Sequence, residues 1–181
     1  MKWVLLCALL FAVGCKNQPV ASEKKPASIK NYVSLDLEYP EYKSTLDRLD
    51  TFLGTKLVNR GEAHITVITP PEFKTLSEKI SPEVIHQEWE NWSAKIFDKI
   101  CLGEGSLKEK NKVLKTYYIV VHAPEIKGFR MFLKNKYGID NFNAELFYPH
   151  ITLGFTEKDL HFEQGVVKDP KSCPQKLQHL L

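Results

Sequence analysis

The sequence predicts an α+β fold made from one strand–helix–strand unit used twice, its halves packed about a pseudo-two-fold axis around a single groove. Two observations carry this. The triplet His-x-Thr occurs twice, in His64-Ile65-Thr66-Val67 and in His150-Ile151-Thr152-Leu153. Each histidine is preceded, 32 or 33 positions upstream at Tyr32 or Tyr117, by a β-prone run, and between run and triplet lies an apolar helical stripe stopped by Gly54 or Gly138. Repetition of this order marks an internal duplication. With six His and nine Thr in 181 residues, random order yields roughly 0.3 such triplets, so a pair at equivalent positions is not an accident of composition.

An N-terminal region of different character precedes the first unit. Lys2 leads an apolar run over 3–14, followed by Cys15 and polar residues. Twelve apolar residues are too few to cross a bilayer as a helix and suit the core of a signal peptide. Ala12-Val13-Gly14-Cys15 resembles the lipobox of bacterial lipoproteins, with Ala12 where leucine is usual. That resemblance implies a signal peptide over 1–14, lipidation of Cys15, and attachment to the membrane of a bacterial cell envelope through the N-terminal lipid. Lys16 stands where the resemblance would put the aspartate of inner-membrane retention, which favours the outer membrane, facing the periplasm. An ordinary secretory leader or a retained anchor is the alternative. Residues 15–30 are polar and rich in Lys, Ser and Pro, the composition of a flexible tether.

The remainder suffices for one domain with its own core, assigned to 31–165, with 166–181 as a C-terminal tail. Residues 32–37 alternate, Val33, Leu35 and Leu37 sharing a face, and read as a strand. A helix follows from Pro40, with Leu46, Leu49 and Leu53 as its stripe and Gly54 at its end. The first His-x-Thr strand covers 62–69. Thr69-Pro70-Pro71-Glu72 opens a helix to about Ile80. Ser81-Pro82-Glu83 opens another, carrying Trp89, Trp92 and Ile96 until Gly103 and Gly105 break it. The tryptophans suit core packing better than base stacking. Residues 116–122 form a strongly β-prone strand, 124–137 a helix striped by Ile126, Phe129 and Leu133, and 147–155 the second His-x-Thr strand.

Charge argues against a broad nucleic-acid footprint. The net +3 falls to +2 without Lys2, and Lys16, Lys24, Lys25 and Lys30 lie in the tether. A near-neutral domain lacks a basic track yet accommodates a small phosphorylated ligand. Cys101 and Cys173 remain after the leader. Outside the cytoplasm they could pair and fasten the tail to the body, with two unpaired buried thiols as the equal alternative. No cysteine cluster has metal-ligand spacing.

Side chains two apart in a strand share a face, so each motif sets an imidazole beside a hydroxyl. The stretches Glu62-Ala63-His64-Ile65-Thr66-Val67 and Phe147-Tyr148-Pro149-His150-Ile151-Thr152-Leu153-Gly154-Phe155 resemble the 2H phosphoesterase superfamily, named for two such motifs. That group includes RNA 2′,5′ ligase-like proteins and cyclic-nucleotide phosphodiesterases. The run H-I-T-V-I-T-P-P-E-F over 64–73, with 148–155, is most similar to its Swiss army knife branch. The resemblance spans 32 to about 161. It implies a bilobal 2H-phosphoesterase-like fold, two pseudo-symmetric sheet-plus-helix lobes with a sheet in each and a central groove. It also implies phosphodiester chemistry without metal or cofactor, with His64 and His150 as the acid/base pair and Thr66 and Thr152 as phosphate binders.

The chemistry is independently sensible. Opening a 2′,3′-cyclic phosphate needs one group to take a proton from water and another to give one to the departing ribose oxygen. Imidazoles with an ordinary pKa of about 6.5 offer both forms at neutral pH. Threonine hydroxyls can donate to the non-bridging oxygens. The near symmetry leaves open which histidine is acid and which base. Tyr148, held extended by Pro149, is the candidate substrate contact, against local packing as its competing use. Arg48, Arg60 and Arg130 are the only arginines, and any could hold a second phosphate, but each reads first as a solvated surface charge and none is placed in the site; His161 is a weaker candidate for the groove edge. The expectation is a monomeric cyclic phosphodiesterase acting on a small cyclic phosphate. Its rivals are a non-catalytic nucleotide- or partner-binding lipoprotein and an RNA end-processing or ligase-like enzyme.

Overall fold

The computed structural model describes residues 29–181. The leader, the lipidation candidate Cys15 and nearly all of the tether lie outside the described residues. In chain order the elements are β1 (Val33–Leu37), α1 (Tyr39–Leu53), β2 (Ala63–Ile68), α2 (Pro70–Ser77), α3 (Pro82–Asn91), β3 (Asp98–Glu109), β4 (Lys112–His122), α4 (Pro124–Tyr137) and β5 (His150–Phe155). Short 3₁₀ turns follow at Phe162–Gln164, Pro170–Ser172 and Gln175–Leu180. The mixed α+β class agrees with expectation.

One feature of the sheet differs. The strands form a single antiparallel sheet in the order β1-β2-β5-β4-β3, where a sheet in each lobe was expected. The pair β1-β2 belongs to one lobe and β5-β4-β3 to the other, and the two meet at one register pair, Ile65 opposite Ile151. Both isoleucines are fully buried, so the backbone beside them has no water to bond and pairs across the seam.

Local rules account for most elements. Pro40 and Pro124 lie in the first turns of α1 and α4, which end at Gly54 and Gly138 in the left-handed conformation. Thr69 and Glu72 form a reciprocal capping box at the start of α2. Helix α3 stops at Asn91, well short of the glycines expected to break it. Residues 98–109 are instead the long strand β3, paired with the whole of β4. Gly103 and Gly105 are seats rather than breakers: a Cβ on Gly103 would run into the Tyr118 ring, and one on Gly105 into Val166. Two glycines weaken the strand signal, and pairing with β4 supplies what propensity lacks.

Four helices cover one face of the sheet. Leu49, Leu76, Ile85 and Phe129 from α1 to α4 pack with Ile65 and Ile151 in the principal core. Trp89 joins this core, and the indole N–H groups of Trp89 and Trp92 donate to the Ser34 and Glu125 carbonyls. Arg130 of α4 contradicts its expected surface role. It is 1% exposed, grips both Glu72 carboxylate oxygens, and donates to the carbonyls of Val67, Ala144, Asn143 and Leu146.

On the opposite face stand both His-x-Thr pairs. In the first lobe Ser34 and Asp36 of β1 pair with Thr66 and His64; in the second, Tyr118 and Val120 of β4 pair with Thr152 and His150. The register therefore equates Ser34 with Tyr118, one place out of step with the alignment of Tyr32 and Tyr117. Each strand pair carries an irregularity at that level, between Val33 and Ser34 and between Tyr117 and Tyr118, and such irregularities are invisible in spacing alone.

Residues 166–181 are anchored to the body at several points. Leu177 and Leu180 enter the principal core, and the Gln178 amide bonds both the N–H and the C=O of Leu102 on edge strand β3. This covers a sheet edge otherwise open to pairing. Arg48 donates to the Leu180 carbonyl. Cys101 and Cys173 are joined in a disulfide.

Candidate active site

With β2 and β5 antiparallel and Ile65 facing Ile151, His64 lies across from Thr152 and Thr66 across from His150. Each imidazole therefore shares its place with the hydroxyl of the other motif. The two imidazoles are diagonal neighbours, roughly 7–8 Å apart at the backbone by strand geometry, a span that a phosphate can occupy with a ring on each side. A small pocket confirms one half of this crossing: His64 and Thr152 line it together with Glu62, Asn59 and Arg60.

The two histidines are not equivalent. Nδ1 of His150 lies 2.7 Å from the Tyr148 carbonyl oxygen. A carbonyl only accepts, so Nδ1 carries the proton and Nε2 keeps its lone pair. The Tyr118 ring packs edge-on against it, with centroids 5.8 Å apart. Burial pushes the His150 pKa down to about 3, with the Lys168 ammonium adding to the fall and the Tyr148 carbonyl and Asp159 opposing it. His64 is 17% exposed at its side chain, and its Nδ1 lies 3.5 Å from Glu62 Oε1. Burial lowers its pKa, while the Glu62 carboxylate works in the other direction and Arg60 reinforces the fall. Both imidazoles are thus held toward the neutral form; His150 has a fixed tautomer, and His64 has a carboxylate beside it that partly offsets its burial.

Thr66 and Thr152 hold the expected strand positions, partly buried on the groove face. The Tyr148 ring stacks on the exposed ring of Phe162, centroids 5.8 Å apart, and its backbone carbonyl holds His150. His161 is exposed, its Nε2 4.0 Å from Asp159.

Three charged residues beside the motifs escaped the sequence reading. Arg60 lines the pocket, and its guanidinium lies 3.4 Å from Asp159 Oδ2. Asp159, 5% exposed at its side chain, accepts from the Thr116 hydroxyl at 2.8 Å, the Leu160 N–H at 2.9 Å and the Lys168 ammonium at 3.1 Å. Burial opposes its charge, but Lys168 and Thr116 outweigh it and hold the carboxyl below its usual range. Lys168, 3% exposed, also reaches Thr152 Oγ1 at 3.5 Å. Arg60 carried one available signal, as the only arginine within a few residues of a motif. Lys168 carried none, being one lysine in a polar tail. Among the described residues no group of three or more His, Cys, Asp and Glu is placed to hold a metal ion.

No curated protein and no solved structure matches the chain. Residues 31–161 match the family described as the Swiss Army Knife 2H phosphoesterase domain, and they contain both motif strands and the seam between them. With most of its length matched, the chain belongs to the Swiss Army Knife family of 2H phosphoesterases.

Proposed function

We propose that this protein is a metal-independent phosphodiesterase that opens a small 2′,3′-cyclic phosphate of ribose, or a related cyclic phosphate. Membership of a phosphoesterase family supports the reaction class. The observation that carries the finer reading is the bond from His150 Nδ1–H to the Tyr148 carbonyl. It leaves the Nε2 lone pair free to accept a proton, with a second imidazole diagonal to it across the seam, and the negative charge of a bound phosphate raises the basicity that burial removes. In this reading His150 Nε2 takes a proton from water as its oxygen bonds to phosphorus. The bond from phosphorus to one ribose oxygen breaks, and His64, supported by Glu62, gives that oxygen its proton. Thr66 and Thr152 donate to the non-bridging oxygens, and Tyr148 with Phe162 offers an aromatic edge to the base.

Incubating the purified chain with a panel of cyclic phosphates, with and without chelator, should release phosphomonoester equally in both conditions, as followed by phosphorus NMR. Absence of product from every member, or its loss in chelator, overturns the reading.

The site is further proposed to act at a bacterial cell envelope, as a monomer held by lipid on Cys15. The apolar run before Cys15 supports this, as does the disulfide between Cys101 and Cys173, since such bonds persist in oxidising compartments. Labelled palmitate should enter the wild-type chain and not the Cys15→Ser variant; equal labelling of the two would contradict the assignment.

A further inference from the structure

We infer that the C-terminal segment completes the site, with Lys168 as a positioning residue that aims the Thr152 hydroxyl at a bound phosphate and makes the surrounding charge favourable to an anion. This rests on the reading of Thr152 as a phosphate binder. Lys168 lies beyond residues 31–161, the part of the chain that matches the family.

A buried ammonium is costly unless it is paired and hydrogen-bonded. Asp159 supplies the charge partner at 3.1 Å, and the Tyr118 ring lies 5.3 Å from Lys168 Nζ. A second donor goes to Thr152 Oγ1. An ammonium only donates, so the Thr152 oxygen is the acceptor in that contact and its own hydrogen must be given elsewhere. Thr152 lines the pocket with His64, so the free hydroxyl hydrogen is available to a phosphate oxygen there. Lys168 thus selects the donating orientation of a rotor that would otherwise be undetermined. Among the described residues no cation bonds Thr66 in this way, so the device belongs to one half of the duplicated site.

Charge points the same way. Asp159 lies between two cations, Lys168 and Arg60, and Glu62 also lines the pocket, so the four charges balance and loss of Lys168 leaves a net negative charge facing an anion. The segment is also fixed on both sides of Lys168. Val166 packs over Gly105, the Tyr118 hydroxyl donates to Ser172 Oγ at 2.8 Å, and Cys173 is bonded to Cys101. These ties hold a flexible side chain at one place, which a surface lysine does not achieve.

The test is Lys168→Met in the full chain, with inorganic phosphate as the probe and the His64 and His150 imidazole resonances as the readout. Phosphate should perturb both rings in the wild type. In the variant its affinity should fall about tenfold or more, the loss of one charge-assisted hydrogen bond with its charge. The His150 titration should move upward, because Asp159, His161 and the Tyr118 ring still face that imidazole while the ammonium is gone. Lys168→Arg should recover part of the affinity. In a Thr152→Val background Lys168→Met should cost less phosphate affinity than in the wild type, the shortfall being the share that acts through the hydroxyl, and an equal loss in both backgrounds overturns the positioning role. Should Lys168→Met unfold, Lys168→Met with Asp159→Asn removes both buried charges together and keeps phosphate affinity as its readout, since the two charges act on His150 in opposite directions. Unchanged phosphate affinity and an unmoved His150 titration in a folded variant overturn the inference, as does a wild type whose imidazoles ignore phosphate. A wild type that binds phosphate normally but hydrolyses no cyclic phosphate sinks the catalytic reading alone.

Discussion

Replacing either His64 or His150 by alanine should lower kcat by about 10²–10⁴, the usual contribution of a positioned acid or base. The two losses should not multiply. In the proposed reaction the imidazoles serve one proton-transfer cycle, one taking a proton as the other gives one, so removing the second after the first forfeits little more. His150→Ala also deletes the hydrogen bond to the Tyr148 carbonyl and the edge contact with Tyr118. His150→Asn separates these effects, because its amide can still donate to that carbonyl but cannot take the proton. Steady-state turnover of a cyclic phosphate, with thermal melts as the folding control, is the measurement. Retention of more than about a tenth of wild-type activity in either alanine variant would exclude paired acid/base catalysis at this seam.

The largest effect on stability is expected at Arg130. Arg130→Ala should destabilise the fold by about 3–5 kcal/mol, the range for breaking a buried ion pair on one side. The guanidinium satisfies the Glu72 carboxylate and four backbone carbonyls, and it packs 4.9 Å from the centroids of Phe142 and Phe147. Its removal leaves acceptors without donors in a region too buried for water to replace them all. The chain it grips over 143–146 leads directly into Tyr148 and His150, so activity should fall along with stability. Urea unfolding reads the free energy; a midpoint equivalent to less than about 1 kcal/mol of loss would show that the network is incidental.

The helices and the motif strands were legible because each rests on rules that act within a few residues. Pro40 and Pro124 start helices, Gly54 and Gly138 end them, and Leu46, Leu49, Phe129 and Leu133 recur at helical spacing in between. The alternation around His64 and His150 marked both strands, and the repeated order of elements paired them. Where local signals conflict the reading failed. The segment 98–109 contains two glycines and weak alternation, and it is a strand because β4 lies beside it.

Pairing of His64 with His150, and the type of chemistry two imidazoles and two hydroxyls can perform, was determined by the sequence itself, through motif and repeat. Tertiary structure alone decided the difference between the two histidines. The Tyr148 carbonyl, Glu62, Asp159 and Lys168 act on them through space, and Lys168 is set beside Thr152 by a disulfide and a glycine seat that both lie on strand β3. Hydrogen bonds and burial depend on which atoms meet, and a chain reports those meetings only after it has folded.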